Sequence, residues 1–245
     1  MLQCVQCIDV IKDKRVFSGS GCQPGLFTMF LPMPPGAASL MQPIPQAHGA
    51  VQTSANSSGP EEFSRLADIY TLLAQLMRYP EDAAVLTLQL EAALQLTSAL
   101  SWRDETEYLR EWLQQCPDLC SVLRLEYTRL FITAPRRSTV PPYASVHLDD
   151  GALLQGRTTQ RIHDFYRGSG YELAAVSEPA DHISLQLDFL AALARDGRIA
   201  EEEQFLGTFF RPWFTIFKEK CFQATAHPVY RLALTLIDFF TKEEQ

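Results

Sequence analysis

The chain has 245 residues, a length that fits one compact domain with a tail or two small domains. Its net charge of −8 argues against a nucleic-acid groove as the main site and suits a basic partner instead. Apolar residues make up 47% of the composition, yet no run reaches the ~18 uninterrupted apolar residues of a spanning helix, so no stable membrane insertion is expected.

Residues 1–60 hold 7 of the 15 prolines and 6 of the 12 glycines, with few apolar anchors after Pro43. A segment of that kind cannot offset its ordering entropy by burial, so it is expected to be a disordered extension. Met29, Met33 and Met41 are alternative starts within it. Lys12, Lys14 and Arg15 could open a signal peptide, but Gly25, Pro32, Pro34 and Pro35 break the apolar stretch that should follow. Cys22 after Ser20-Gly21 is only a faint lipoprotein signal, and the expectation is an unexported, cytoplasmic protein. Cys4-Val5-Gln6-Cys7 has the spacing of half a metal site without a second pair. The other cysteines, Cys22, Cys116, Cys120 and Cys221, are unevenly placed; reduced thiols, no metal and no cofactor are expected.

From Glu61 the pattern turns helical. Gly59-Pro60-Glu61-Glu62 starts a first helix, with Phe63, Leu66, Ile69, Tyr70, Leu73, Leu76 and Met77 on one face. Pro80 ends it and opens a second, over 81–97. Ser101 with Asp104 predicts a capping box ahead of a third helix, and Pro117-Asp118 starts a fourth that reaches Leu130-Phe131. Periodicity then lapses from Thr133 to Gly156, a hinge-like loop at 133–156 long enough to allow a domain-swapped dimer beside the expected monomer. Helices resume around Ile162, Phe165 and Tyr166. A second gap spans Tyr171 to Pro179, and a helix follows over 181–195. Another covers 199–210, Pro212 predicts a break or kink before one over 213–222, and the last helix runs over 227–242. No segment reads as a strand. The prediction is an all-α bundle of about nine helices, with 61–245 as the folded domain.

Two polar clusters stand out. In Glu178-Pro179-Ala180-Asp181-His182 the acids can cap the following helix, with Asp181 at the capping position, or recognise a cation. In Pro141-Pro142-Tyr143 two prolines stiffen the chain and present Tyr143, either as a recognition aromatic or as a core plug. Asp181 and His182 are adjacent and would diverge on a helix, which argues against a metal site. His147, His163 and His227 have no acid or cysteine near them in sequence and read as ordinary polar residues. No Gly-x-Ser-x-Gly elbow and no Gly-rich phosphate loop occurs, so no catalytic residue is assigned.

The order of the motifs is specific. Glu126-Tyr127-x-x-Leu130-Phe131 precedes Pro141-Pro142-Tyr143-x-Ser145-Val146, then Gly156, Tyr166 and Gly170. Glu178-Pro179-x-Asp181-His182-Ile183, Leu187-x-Phe189-Leu190 and Pro212-Trp213 with Phe217 follow. From about Glu61 to Phe240 this resembles the TorD/DmsD family of redox-enzyme maturation chaperones, and more distantly the NarJ group. The resemblance implies a non-enzymatic, all-α chaperone. Its partners would be the twin-arginine leader and apoprotein of a molybdopterin oxidoreductase, held until the cofactor is inserted and export can proceed. Family leader-binding positions correspond to Leu130, Phe131, Pro142, Tyr143, Gly156, Pro179, Asp181 and His182, and Glu178 joins them as a carboxylate suited to a guanidinium. Gln186 departs from the acid common at its position, and Phe209-Phe210 from a common His-Leu. The resemblance also admits a NarJ-like assembly role for a non-exported, membrane-associated enzyme, and weak guanine-nucleotide binding.

Overall fold

The computed structural model describes residues 40–44, 60–133, 139–149, 154–174 and 178–242. These hold α1 (Pro60–Leu76), α2 (Ala83–Ala99), α3 (Arg103–Gln115), α4 (Leu119–Tyr127), α5 (Ala144–Leu148), α6 (Arg157–Gly168), α7 (Ile183–Arg195), α8 (Ile199–Phe205), α9 (Arg211–Ala224) and α10 (Pro228–Thr241). A π turn, Thr128–Ile132, prolongs α4, and a second, Leu206–Phe210, joins α8 to α9. Ten α-helices, with α8 and α9 fused, therefore make nine helical stretches among the described residues, in line with the sequence.

Helix α7 is the centre. Every residue from Ile183 to Ala194 is buried, as expected of a helix that is apolar nearly all round. Helix α1 packs most extensively along it, and α8 and the N-terminal strand also touch it. The polar residues inside α7 have partners. Gln186 donates to the Asp181 carbonyl at 2.7 Å and accepts from the Trp213 indole at 3.2 Å, while Asp188 pairs with Arg78 of the segment after α1. Gln186 is thus a satisfied core link rather than a lost surface acid. Phe210 is buried and stacks on Phe214, whereas Phe209 lies against Phe165 and Phe205.

Local chemistry explains the helix starts. The Asp82 carboxylate accepts the amides of Ala84 and Val85 at 2.8 and 2.9 Å, so the second helix begins at Ala83. Asp118 accepts from Ser121 in the same way. The expected Ser101–Asp104 capping box is corrected: Ser101 lies at φ 59°, one residue too early, and the cap is Trp102, which makes no side-chain capping bond. Pro212 lies near the start of α9, and the irregularity appears just before it as the π turn, where the helix runs on without the amide that Pro212 lacks.

The expectation of helices alone is corrected too. β1 (Met41–Pro43) pairs antiparallel with β2 (Tyr171–Leu173), Met41 opposite Leu173 and Pro43 opposite Tyr171. A two-stranded ribbon has only edge strands, so it tolerates Pro43. Met41 is 4% exposed and belongs to the core, so this part of the N-terminal segment is packed. The rest of 1–60, apart from Leu40, Ile44 and Pro60, lies outside the described residues, as do Cys4, Cys7 and Cys22. Cys116, Cys120 and Cys221 are free thiols. The loop at 133–156 is interrupted by α5, and the second gap by β2. No helix among the described residues is long and apolar enough to cross a membrane.

Candidate functional site

Two motifs 35 residues apart in sequence are clipped together by main-chain bonds. Ala144 N–H donates to the Asp181 carbonyl at 3.1 Å and Ile183 N–H to the Pro142 carbonyl at 2.9 Å, so Tyr143 and His182 face each other as an antiparallel bridge. Their rings meet edge to face at 5.0 Å. The Tyr143 hydroxyl, on a half-buried ring, reaches outward and donates to Glu178 Oε2 at 2.6 Å. Burial and the Glu178 carboxylate push the Tyr143 phenol well above its usual range, which keeps it a donor.

Beside this clip opens a cleft of about 930 Å³. Its walls come from the end of α1 and the following turn, the start of α2, the end of α4 with its π turn, the Pro142-Tyr143 segment, the start of α7, and Val229-Tyr230. Tyr79 and Tyr127 meet edge to face at 5.5 Å on one side, and Tyr127 continues to Phe131 at 4.9 Å. Acids are Glu178, Glu81 and Asp82, the last engaged as the α2 cap. Arg78 is the one cation among the lining residues, and it is paired with Asp188. Burial, partly countered by Arg78, pushes the Asp188 carboxyl up to about 6.

Of the residues singled out in the sequence, Phe131, Pro142, Tyr143, Glu178 and His182 gather on this cleft; Leu130, Gly156, Pro179 and Asp181 do not line it. Leu130 is a core residue. The Pro179 carbonyl accepts from His182 N–H in the turn leading to α7. Gly156 caps α6 in extended backbone, and a Cβ there would fall 2.1 Å from Asp149 Oδ2, the carboxylate that holds Thr158 N–H at 3.0 Å and its hydroxyl at 2.6 Å. Asp181 is 0% exposed, and both its oxygens are occupied from within, by Ser145 N–H at 2.8 Å and the Thr159 hydroxyl at 2.9 Å. The capping position expected for Asp181 belongs to His182, whose Nδ1 accepts from Ser184 N–H at 3.2 Å. His182 is 3% exposed; burial, with Arg78 nearby, lowers its pKa to about 3, so it is neutral.

Two of the other histidines, His147 and His227, are more than ordinary polar residues. His147 stacks on Trp213 at 5.7 Å and hydrogen-bonds the Pro141 carbonyl, and His227 packs edge to face on Trp112 at 4.7 Å. Sequence reasoning missed Gln75 and Arg78 on the cleft. Their signal was available: Thr71, Gln75 and Arg78 fall at i, i+4 and i+7, a polar stripe in an otherwise apolar stretch. No group of three or more candidate metal ligands occurs among the described residues.

Comparison with known proteins gives several matches. The family model of the nitrate reductase delta subunit matches residues 80–219. Over 145 residues the chain is 30% identical to "Chaperone protein TorD" of Vibrio cholerae, covering 54% of this chain and 65% of that protein. Over 106 residues it is 34% identical to "Tat proofreading chaperone DmsD" of Salmonella paratyphi A, covering 43% and 52% respectively. The chain thus spans less than two thirds of the length of either relative. The solved structure of a candidate redox enzyme maturation protein from Archaeoglobus fulgidus is 22% identical, with a TM-score of 0.48 over 80% of this chain and 100% of its own.

Proposed function

We propose, from the premise that this chain belongs to the nitrate reductase delta subunit family, that it is a maturation chaperone acting in the cytoplasm, whose cleft receives the twin-arginine leader of a molybdenum oxidoreductase precursor. The observation that carries this reading is the Tyr143–Glu178 pair at the lip of an aromatic cleft. Tyr143 steers one carboxylate oxygen of Glu178 and leaves the other for an incoming guanidinium, whose planar fork suits a carboxylate. The aromatic wall of Tyr79, Tyr127 and Phe131 supplies the surface for the apolar stretch that follows the arginines. The charge-bearing role passes from Asp181, which is enclosed, to Glu178, which is exposed. Among the relatives, DmsD is named a Tat proofreading chaperone and TorD a chaperone, which supports the same reading. On this reading the protein holds its client without turning anything over.

Calorimetric titration with a synthetic leader peptide, an Arg-Arg pair followed by an apolar stretch, tests it. Glu178→Gln should weaken binding by ~1.5–3 kcal/mol, the scale of a hydrogen bond to a charged group, and leave thermal stability unchanged. Unchanged affinity would sink the assignment. The family description names a nitrate reductase subunit, and a second reading is a NarJ-like chaperone of a membrane-associated enzyme that is not exported. Binding of the apoprotein with no binding of the Arg-Arg peptide would select that one.

A further inference from the structure

Buried polar atoms without partners are rare in folded proteins because each costs its full desolvation. Among the described residues there are five: Gln75 Oε1, Arg78 Nε, Ser145 Oγ and the two ring nitrogens of His227. Two of the five stand on one wall of the cleft. Gln75 is 7% exposed, and both Gln75 and Arg78 line the cleft. Arg78 N–H donates to the Gln75 carbonyl at 3.1 Å, an i to i+3 bond of the tight turn that closes α1, and in such a turn side chains three apart lie one above the other. The guanidinium is tethered through its terminal nitrogen to Asp188, which neutralises its charge and leaves Nε–H unused.

The wall therefore holds one vacant acceptor beside one vacant donor, with no net charge. A guanidinium offers donors only and could satisfy Gln75 but not Arg78; a carboxylate could satisfy Arg78 but not Gln75. An extended residue presents its own N–H and C=O to the same side, as in an antiparallel ladder, and can satisfy both. We propose that Gln75 and Arg78 read the main chain of an extended peptide in the cleft, Gln75 Oε1 accepting a peptide N–H and Arg78 Nε–H donating to a peptide C=O. The terminal amide torsion of Gln75 is broad, so its oxygen can turn toward an occupant while Arg78 keeps its pairing with Asp188. The inference rests on the peptide-binding reading above and adds how the apolar part of the segment is held: by its backbone, so that its side-chain sequence can vary.

The experiment uses the full chain and a labelled synthetic peptide, an Arg-Arg pair followed by an Ala/Leu stretch, together with versions carrying one N-methylated main-chain nitrogen each. In the wild type, methylation at one position within the Ala/Leu stretch should weaken binding about tenfold, the scale of one lost hydrogen bond. Gln75→Leu should bind the unmodified peptide about tenfold more weakly, and that same methylation should then cost nothing more. Arg78→Lys keeps the charge facing Asp188 but removes Nε–H, and should also weaken the unmodified peptide. Thermal unfolding of Gln75→Leu should match or exceed the wild type, because an unsatisfied acceptor is gone. If it does not fold, Gln75→Met takes its place. Wild-type binding with equal affinity in both variants, or methylation effects identical in wild type and Gln75→Leu, would overturn the inference while leaving the cleft as the binding site. Absence of binding to the wild type would overturn it together with the leader reading.

Discussion

Asp181 and Glu178 lie three residues apart and do opposite work. Asp181 ties the start of α5 and the first turn of α6 to the turn before α7, so its carboxylate is part of the framework. Asp181→Asn presents an amide NH₂ toward one of two donors and should destabilise the protein by about 1–3 kcal/mol, read as a lower urea midpoint, while the folded variant keeps wild-type peptide affinity. The neighbouring histidine predicts a pH effect. The folded-state pKa of His182 is about 3, below the ~6.5 of an unfolded chain, so the unfolded state takes up the proton first. Stability is thus lost as pH falls from about 6.5 toward 3. Asp188, raised to about 6, acts in the opposite sense, its contribution fading as pH rises through that value. His182→Asn keeps a capping side chain and removes one titration. Between pH 6 and 5 the wild type should lose up to ~1.4 kcal/mol more per pH unit than this variant, measured by chemical denaturation at each pH.

At the scale of elements, helix ends separate what could be read from what could not. Asp118 starts α4 as expected after Pro117, while Asp82, read as lying inside a helix over 81–97, is instead the cap of α2; in both an Asp oxygen reaches the free amides two or three residues on. The Ser101 signal fails because the chain turns left-handed at that residue. The stop after α7 falls at Gly197, a glycine just past the end expected at 195. Its φ is 67°, Gly197 N–H donates to the Ala194 carbonyl at 3.1 Å, and Arg198 N–H reaches back to Leu193 at 2.9 Å, the paired bonds of a Schellman end. Gly197→Ala should therefore cost about 1–2 kcal/mol, seen as a lower melting temperature, because only glycine enters that conformation without strain. The strands escaped notice because three residues are too few to show an alternation, and Pro43 argues against a strand by itself.

Across the whole molecule, the helical order was legible because each helix repeats its own apolar period. The cleft was legible only in part, because it is assembled from segments between Leu40 and Tyr230 whose proximity no local pattern encodes. Tyr143 and Glu178 could be singled out as polar punctuation in loops, but their hydrogen bond depends on the clip between Pro142 and Ile183. Asp181 looked like an open carboxylate because sequence does not reveal that Ser145 and Thr159 close over it. The N-terminal strand extends this assembly to its far end. A variant starting at residue 45 loses the Met41 anchor and the partner of β2. It should melt several degrees below one starting at residue 40, a difference that scanning calorimetry would read directly.

The π turn between α8 and α9 has a consequence for how the gene can change. Starting at Phe205, an unbroken helix would bring residues near 212, 216 and 219 to the same side at ~3.6 per turn. The residues actually buried are Trp213, Phe214, Phe217 and Cys221, later by one or two. The extra residue of the turn acts as a phase shift that keeps both halves facing inward. Thr208 is exposed within it, so Thr208→Ala should be silent. Loss of that single codon, by contrast, would restore the regular period, rotate Trp213 and Phe217 about 100° out of the core, and behave like the removal of a whole helix.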